Sequence, residues 1–227
     1  MAVARLDLAR RIDHTLLAPQ TGREALYRHC QEAVDHAFYS VCVASRNVGF
    51  CAERLAGTGI RVCSVVAFPH GDASTAAKRA EAARAVQDGA DELDVVLALG
   101  SLRDGDHRAV VDDLRAVVAA AAERPVKVIL ETVRLDERQI VVACALSQAA
   151  GAAFVKTSTG YGGGGATVDD VALMRSVVGP HVAVKASGGI RDAAGADALL
   201  AAGATRLGAS RSIAIVGGAA VGGGEDY

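Results

Sequence analysis

Tryptophan is missing from this 227-residue sequence, and phenylalanine, tyrosine and proline appear only four times each. No basic run interleaves with those few aromatics, so the chain lacks the stacking and phosphate-binding features of a nucleic-acid partner. Lys plus Arg total 24 against 26 Asp plus Glu, a net charge of −2, which leaves room for a local anion pocket but no broad basic surface. No uncharged apolar stretch of about 18 residues occurs, so no membrane span is expected. The first residues, MAVARLDLARRIDHTLL, carry charges where a secretory leader needs an apolar run. CxxC spacing is absent as well. The five cysteines (Cys30, Cys42, Cys51, Cys63 and Cys144) are an odd, scattered set, which suits reduced thiols in a cytoplasmic protein better than a disulfide framework or a zinc site.

Further absences narrow the chemistry. The histidines show neither HxH nor HExxH spacing, so a zinc-dependent mechanism is not expected. There is no GxxxxGK[ST] loop, and Ser210 lies outside any GxSxG elbow, so neither a nucleotide hydrolase nor a serine hydrolase is indicated. No metal and no cofactor is expected.

What is present is a repeating pattern. Short runs rich in Val, Ile and Ala stand at 12–17, 40–44, 61–68, 92–99, 126–132, 153–159, 181–188 and 205–210. Amphipathic segments such as 23–37, 73–90 and 106–123 lie between them, with Gly, Pro or Asp at most joins, as β/α units require. Eight such units in a chain near the usual barrel length of roughly 250 residues predict an α/β fold, a single (β/α)8 TIM barrel. An open doubly wound sheet is the alternative, although its GxGxxG fingerprint is missing after the first strand. The barrel is expected to be one domain, with a Gly-rich, mobile tail at 217–227. Barrels of this size with apolar outer helices commonly pair, so a homodimer or homotetramer is expected.

The apolar runs carry a regular set of polar residues toward their C-terminal ends: Asp13 and Thr15, Cys42, Asp94, Glu131, Lys156, Lys185 and Ser210. That end of a β/α barrel is the mouth where active sites are assembled, and such residues are costly inside apolar strands unless paired. A single lysine there would most simply lay its stem on apolar surface and its head in solvent. Lys156 and Lys185 occupy matching positions on consecutive runs, which points instead to a site. Two ammonium groups held close together repel, and burial adds a desolvation cost; both effects favour a neutral amine. A neutral amine attacks a carbonyl to form an imine, which acts as an electron sink for C–C cleavage. Which lysine attacks and which tunes it stays open. Asp94 supplies a carboxylate, either as a compensating ion pair or as a proton shuttle. Lys127 and Glu131 share strand parity, which admits an ion pair, and Lys127 is assigned to structure near the closed end. Cys42 reads as a packed thiol.

Two late loops, at 185–190 and 207–210, set glycines before helical segments. Gly188, Gly189 and Gly208 would let backbone amides approach an anion, with Ser210 beside them and Gly160 adding to the seat. Loops after the last two strands are where barrels often bind phosphate.

The segments FVKTSTG (154–160), VKASGGI (184–190), ELDVV (92–96) and IDHTLL (12–17) resemble the deoxyribose-phosphate aldolase family, and the resemblance runs through Ser210 to Tyr227. It implies reversible cleavage of 2-deoxy-D-ribose 5-phosphate to D-glyceraldehyde 3-phosphate and acetaldehyde, a step of deoxyribonucleoside catabolism. Lys156 would then form the Schiff base, Lys185 would tune it, Asp94 would move protons and Asp13 would support the relay. Gly160, Gly188, Gly189, Gly208 and Ser210 would seat the phosphate, and Thr157 and Thr15 would contact substrate hydroxyls. The family's second loop hydroxyl is Arg211 here, a donor with charge assistance, and Tyr161 stands where some relatives place a lysine. A transaldolase-like transferase and a sugar-phosphate-binding barrel without turnover are the other readings.

Overall fold

In the computed structural model, which describes residues 2–217, eight parallel strands close on themselves in sequence order. They are β1 (Ile12–Leu16), β2 (Ser40–Val43), β3 (Arg61–Val66), β4 (Glu92–Val96), β5 (Val126–Ile129), β6 (Phe154–Lys156), β7 (Ala183–Ser187) and β8 (Arg206–Ala209). β8 pairs back onto β1, with Asp13 opposite Gly208. Closure favours the barrel over the open sheet. Residues 218–227, most of the segment expected to be a mobile tail, lie outside the described residues. No helix among the described residues is long and apolar enough to cross a membrane.

The alternation of the strands divides the interior. Val41, Val43, Leu93, Val95, Val128, Val155 and Val184 face the surrounding helices and belong to one large apolar core. Inside the mouth lies a second, smaller apolar cluster of Leu17, Cys42, Cys63 and Val65, with Ala44, Phe68 and Tyr161 against it. The charged strand residues Asp13, Glu92, Asp94, Lys127, Lys156, Lys185 and Arg206 also point inward.

Helix starts follow the capping chemistry of the sequence. Ser74, Asp106, Thr167 and Asp192 each accept a hydrogen bond from a backbone N–H in the first turn, and Asp136 with Gln139 forms a capping box. A buried ion pair also ties the outer layer to the barrel. Lys78, on helix Thr75–Gln87, reaches Asp113 of helix His107–Ala120 at 2.7 Å and the carbonyl of Val96 at 3.0 Å. Several strands stop short of their apolar runs. β6 ends at Lys156 and β5 at Ile129, so the residues that follow are free to shape the mouth.

Candidate active site

Lys156 and Lys185 are Cα partners across β6 and β7, and Asp94 is the partner of Lys127 across β4 and β5. Their side chains converge inside the barrel. Lys156 donates to Asp94 Oδ2 at 2.8 Å, and Lys185 donates to the same oxygen at 2.8 Å. Lys185 also pairs with Asp13 Oδ2, while Lys127 holds Asp94 Oδ1 at 2.7 Å. Asp13 Oδ1 accepts from Ser40 at 2.7 Å and from Arg206 at 2.8 Å. All of these charged groups are buried.

Burial by itself would push Asp94 up. The ammonium groups of Lys127, Lys156 and Lys185 outweigh it and hold the carboxyl well below its usual range. Asp13 is lowered in the same way by Lys185, Lys127 and Arg206 against its own desolvation. Lys185 contradicts the expectation that crowding and burial favour a neutral amine. Desolvation does oppose its charge, but Asp13 and Asp94 win and raise it above the ordinary lysine range. Lys185 therefore stays an ammonium. Lys156 meets one carboxylate where Lys185 meets two, and it carries the slightly more accessible side chain, 3% against 0%.

Other expectations need correction. Lys127 is not remote from the chemistry, because its amine sits on Asp94 and on Glu92 at 2.8 Å. It does not pair with Glu131. Strand alternation ends at Ile129, and Glu131 adopts a left-handed backbone with φ of 57°. Its carboxylate instead accepts from the hydroxyl and backbone N–H of Thr159, which fastens the loop after β6. The Thr157 hydroxyl donates to the Ser187 carbonyl and accepts from the Ser187 N–H, both at 3.0 Å, so its proton is committed to backbone. Thr15 likewise donates to the carbonyl of Asp13 at 2.9 Å.

The glycines divide into two groups. Gly160, Gly188 and Gly189 all have positive φ, and the loops carrying them touch: a Cβ on Gly165 would lie 2.4 Å from the Gly188 carbonyl oxygen. Gly208 serves another need. A Cβ there would come within 3.0 Å of Lys185 Cε and 2.7 Å of Ser187 Oγ, so its lack of a side chain makes room for the lysine stem. Ser210 is exposed and borders a cavity of about 260 Å³ with Thr15, His14, His29 and Glu32. A second cavity, of about 240 Å³, opens at the mouth among His70, Arg103, Arg134, Glu131 and Tyr161.

Three groups among the described residues bring metal-ligating atoms together: His14, His29 and Glu32; Cys42, Cys63 and Asp94; Asp13, Cys63 and Glu92. In the last two the carboxylates are already engaged by Lys127, Lys185 or Arg206, whose charges oppose a further cation. In the first, the His14 imidazole bonds Glu32 at 2.9 Å and the His29 ring bonds the His14 carbonyl at 3.0 Å.

Sequence reasoning missed Arg206, which opens β8 and bridges Asp13 to Glu92 at 2.8 and 2.9 Å. It also missed Tyr39, whose ring lies 3.4 Å from the Arg206 guanidinium and whose hydroxyl donates to Glu92. The available signal was parity: Arg206 and Gly208, like Glu92 and Asp94, alternate with apolar residues along their strands.

Comparison with known proteins agrees with this geometry. Residues 9–222 match the family model described as DeoC/LacD family aldolase. The chain is 50% identical over 219 residues to a deoxyribose-phosphate aldolase of Bdellovibrio bacteriovorus, covering 96% of this chain and 100% of that one. A deoxyribose-phosphate aldolase of Rhodospirillum rubrum is 54% identical over 210 residues, 92% of this chain and 88% of its own. Among solved structures, a tetrameric deoxyribose phosphate aldolase from Aeropyrum pernix superposes with a TM-score of 0.87 at 34% identity, covering 94% of this chain and 91% of that one.

Proposed function

This chain belongs to the DeoC/LacD family of aldolases, and from that premise we propose that it cleaves 2-deoxy-D-ribose 5-phosphate to D-glyceraldehyde 3-phosphate and acetaldehyde through an imine on Lys156. Cleavage of a deoxyribose phosphate is the activity for which its relatives are named. The observation that carries the mechanism is the single carboxylate oxygen, Asp94 Oδ2, hydrogen-bonded to both amines.

The neutral Lys156 amine attacks C1 of the open-chain sugar, and loss of water gives a protonated imine. Removal of the C3 hydroxyl proton breaks the C2–C3 bond, whose electron pair flows through C1 onto the imine nitrogen. D-Glyceraldehyde 3-phosphate leaves, and the remaining enamine is protonated at C2 and hydrolysed to acetaldehyde. Asp94 lies beside every charged stage of the Lys156 nitrogen, so the oxygen that balances the ammonium also balances the iminium. Asp94 Oδ2 is the carboxylate oxygen beside the Lys156 nitrogen as that nitrogen gains and loses protons, while Lys185, held from behind by Asp13, keeps its own.

The apolar wall of Leu17, Val65 and Phe68 suits a donor as small as acetaldehyde. The touching loops at Gly160, Gly165 and Gly188 seat the phosphate, with Gly189 completing that turn and Ser210 offered from the end of β8. The protein acts in the cytoplasm as a homodimer or homotetramer, without metal or cofactor. The test is product analysis: deoxyribose 5-phosphate should yield free acetaldehyde and glyceraldehyde 3-phosphate in equal amounts. Transfer to an acceptor sugar without acetaldehyde release would mark a transaldolase instead.

A further inference from the structure

Followed from Asp94, the buried ion pairs return to their start. Asp94 Oδ2 meets Lys185 at 2.8 Å, Lys185 meets Asp13, and Asp13 Oδ1 meets Arg206 at 2.8 Å. Arg206 meets Glu92 Oε2 at 2.9 Å, Glu92 Oε2 meets Lys127 at 2.8 Å, and Lys127 meets Asp94 Oδ1 at 2.7 Å. Three carboxylates alternate with three cations around a closed loop, and the loop is neutral. Lys156 hangs from it at Asp94 as a seventh charge with no anion of its own.

The far side of the loop is rigidly built. The guanidinium of Arg206 lies on the Tyr39 ring at 3.4 Å and near the Phe154 ring at 5.3 Å, and the Tyr39 hydroxyl donates to Glu92 Oε1 at 3.2 Å. Neither Arg206 nor Glu92 bonds to Lys156. A structural brace would show the same burial and pairing, so the two roles differ in the pH dependence of the Lys156 amine and not in the contacts.

We infer that Arg206 and Glu92 are positioning residues that set the charge on the Lys156 amine: by completing a neutral loop beneath it, they leave a proton on Lys156 as the one unbalanced charge in the barrel interior. The inference rests on Lys156 being the attacking amine. The ionisable side chains facing this interior are Asp13 from β1, Cys42 from β2, Cys63 from β3, Glu92 and Asp94 from β4, Lys127 from β5, Lys185 from β7 and Arg206 from β8. All the carboxylates among them are held below their usual range and Lys127, Lys185 and Arg206 above theirs, so the loop keeps its charges across neutral pH. The two thiols are common to every variant below, so they do not distinguish them.

The sign of each change follows from counting. Glu92→Gln removes an anion, leaves a second excess cation and makes the Lys156 amine shed its proton more readily. Arg206→Met removes a cation and gives the Lys156 proton an anion to balance it. The experiment measures the rate of imine formation with acetaldehyde, trapped by borohydride, as a function of pH. Glu92→Gln should move the acid limb to lower pH and Arg206→Met to higher pH, each by roughly one unit at protein-like dielectric. Arg206→Lys should stay near the wild type, and the double variant Glu92→Gln/Arg206→Met should return toward it, because the count is again one excess cation.

Rates that fall in both single variants with an unmoved pH limb, or limbs that move in the same direction, would overturn the inference. If Arg206→Met fails to fold, the near-isosteric Glu92→Gln still decides by its direction. Failure of the mechanism itself looks different: the unmodified protein would then give no adduct on Lys156 at any pH.

Discussion

Lys156 and Lys185 share one oxygen atom, Asp94 Oδ2, each at 2.8 Å. Their nitrogens can therefore lie no farther apart than those two hydrogen bonds laid end to end. A fixed positive charge on one is felt directly by the other. Lys185 is the fixed one, clamped between Asp94 and Asp13 and raised above the ordinary lysine range. In the proposed chemistry the amine with a single carboxylate is the nucleophile.

Replacing Lys156 by arginine keeps a cation beside Asp94 but removes the proposed nucleophile. Lys156→Arg should lose turnover by at least about 1,000-fold, equivalent to roughly 4 kcal/mol in the barrier. Its thermal midpoint should stay near that of the unmodified protein. Steady-state kinetics beside a melting curve checks both halves.

Lys185→Leu removes the cation held closest to Asp13 Oδ2 and one of the two ammonium groups on Asp94 Oδ2, which keeps Lys156. Breaking a buried pair from one side costs about 3–5 kcal/mol, so urea unfolding should show a loss of that order. Lys156 would also keep its proton more firmly once its charged neighbour is gone. Imine formation should then begin about one pH unit higher.

Acid sensitivity should begin well above the carboxylate range. His14 and His29 stack with ring centroids 4.0 Å apart. Burial pushes each from 6.5 down to about 3, with His36 adding to the shift of His14 and His14 adding to that of His29. Their folded-state values lie below the unfolded ones, so the unfolded chain binds more protons between about pH 3 and 6.5. Their stabilisation is complete above 6.5 and erodes as pH falls through that window, by about 1.4 kcal/mol per pH unit for each ring. Asp13 and Asp94 are lowered, so their contribution is full above their ordinary range and is lost only below it. His29→Gln should flatten the upper part of the stability–pH curve and leave the lower part steep.

The proposed phosphate seat and the proposed imine site can be separated by substitution. A Cβ at Gly165 would lie 2.4 Å from the Gly188 carbonyl, forcing the two loops apart while touching none of the charged cluster. Gly165→Ala should raise KM for deoxyribose 5-phosphate about tenfold. It should leave the rate of imine formation with acetaldehyde nearly unchanged.

The barrel was readable because its signals are local. Strand-like runs punctuated by Gly, Pro and Asp declare themselves over a few residues. Lys156 and Lys185 were readable because each breaks an apolar run at the same offset, and the register makes them neighbours. The floor of the site was hidden. Lys127 looked remote because distance along a strand conveys nothing about how far a long side chain reaches across a barrel, and its amine travels to Asp94. Arg206 went unremarked because its partners, Asp13 and Glu92, are far from it in sequence. Gly208 read as part of an anion loop, and sequence alone did not show that it also borders the stem of Lys185. The Thr157 hydroxyl looked available until Ser187 was seen to take both its donor and an acceptor position.

Reduction of the protein with borohydride in the presence of acetaldehyde, followed by peptide mass spectrometry, bears most directly on the proposed chemistry. An N-ethyl group on Lys156, with Lys185 and Lys127 unmodified, is the predicted result. An adduct confined to Lys185, or none on any lysine while deoxyribose 5-phosphate is still cleaved, would contradict it.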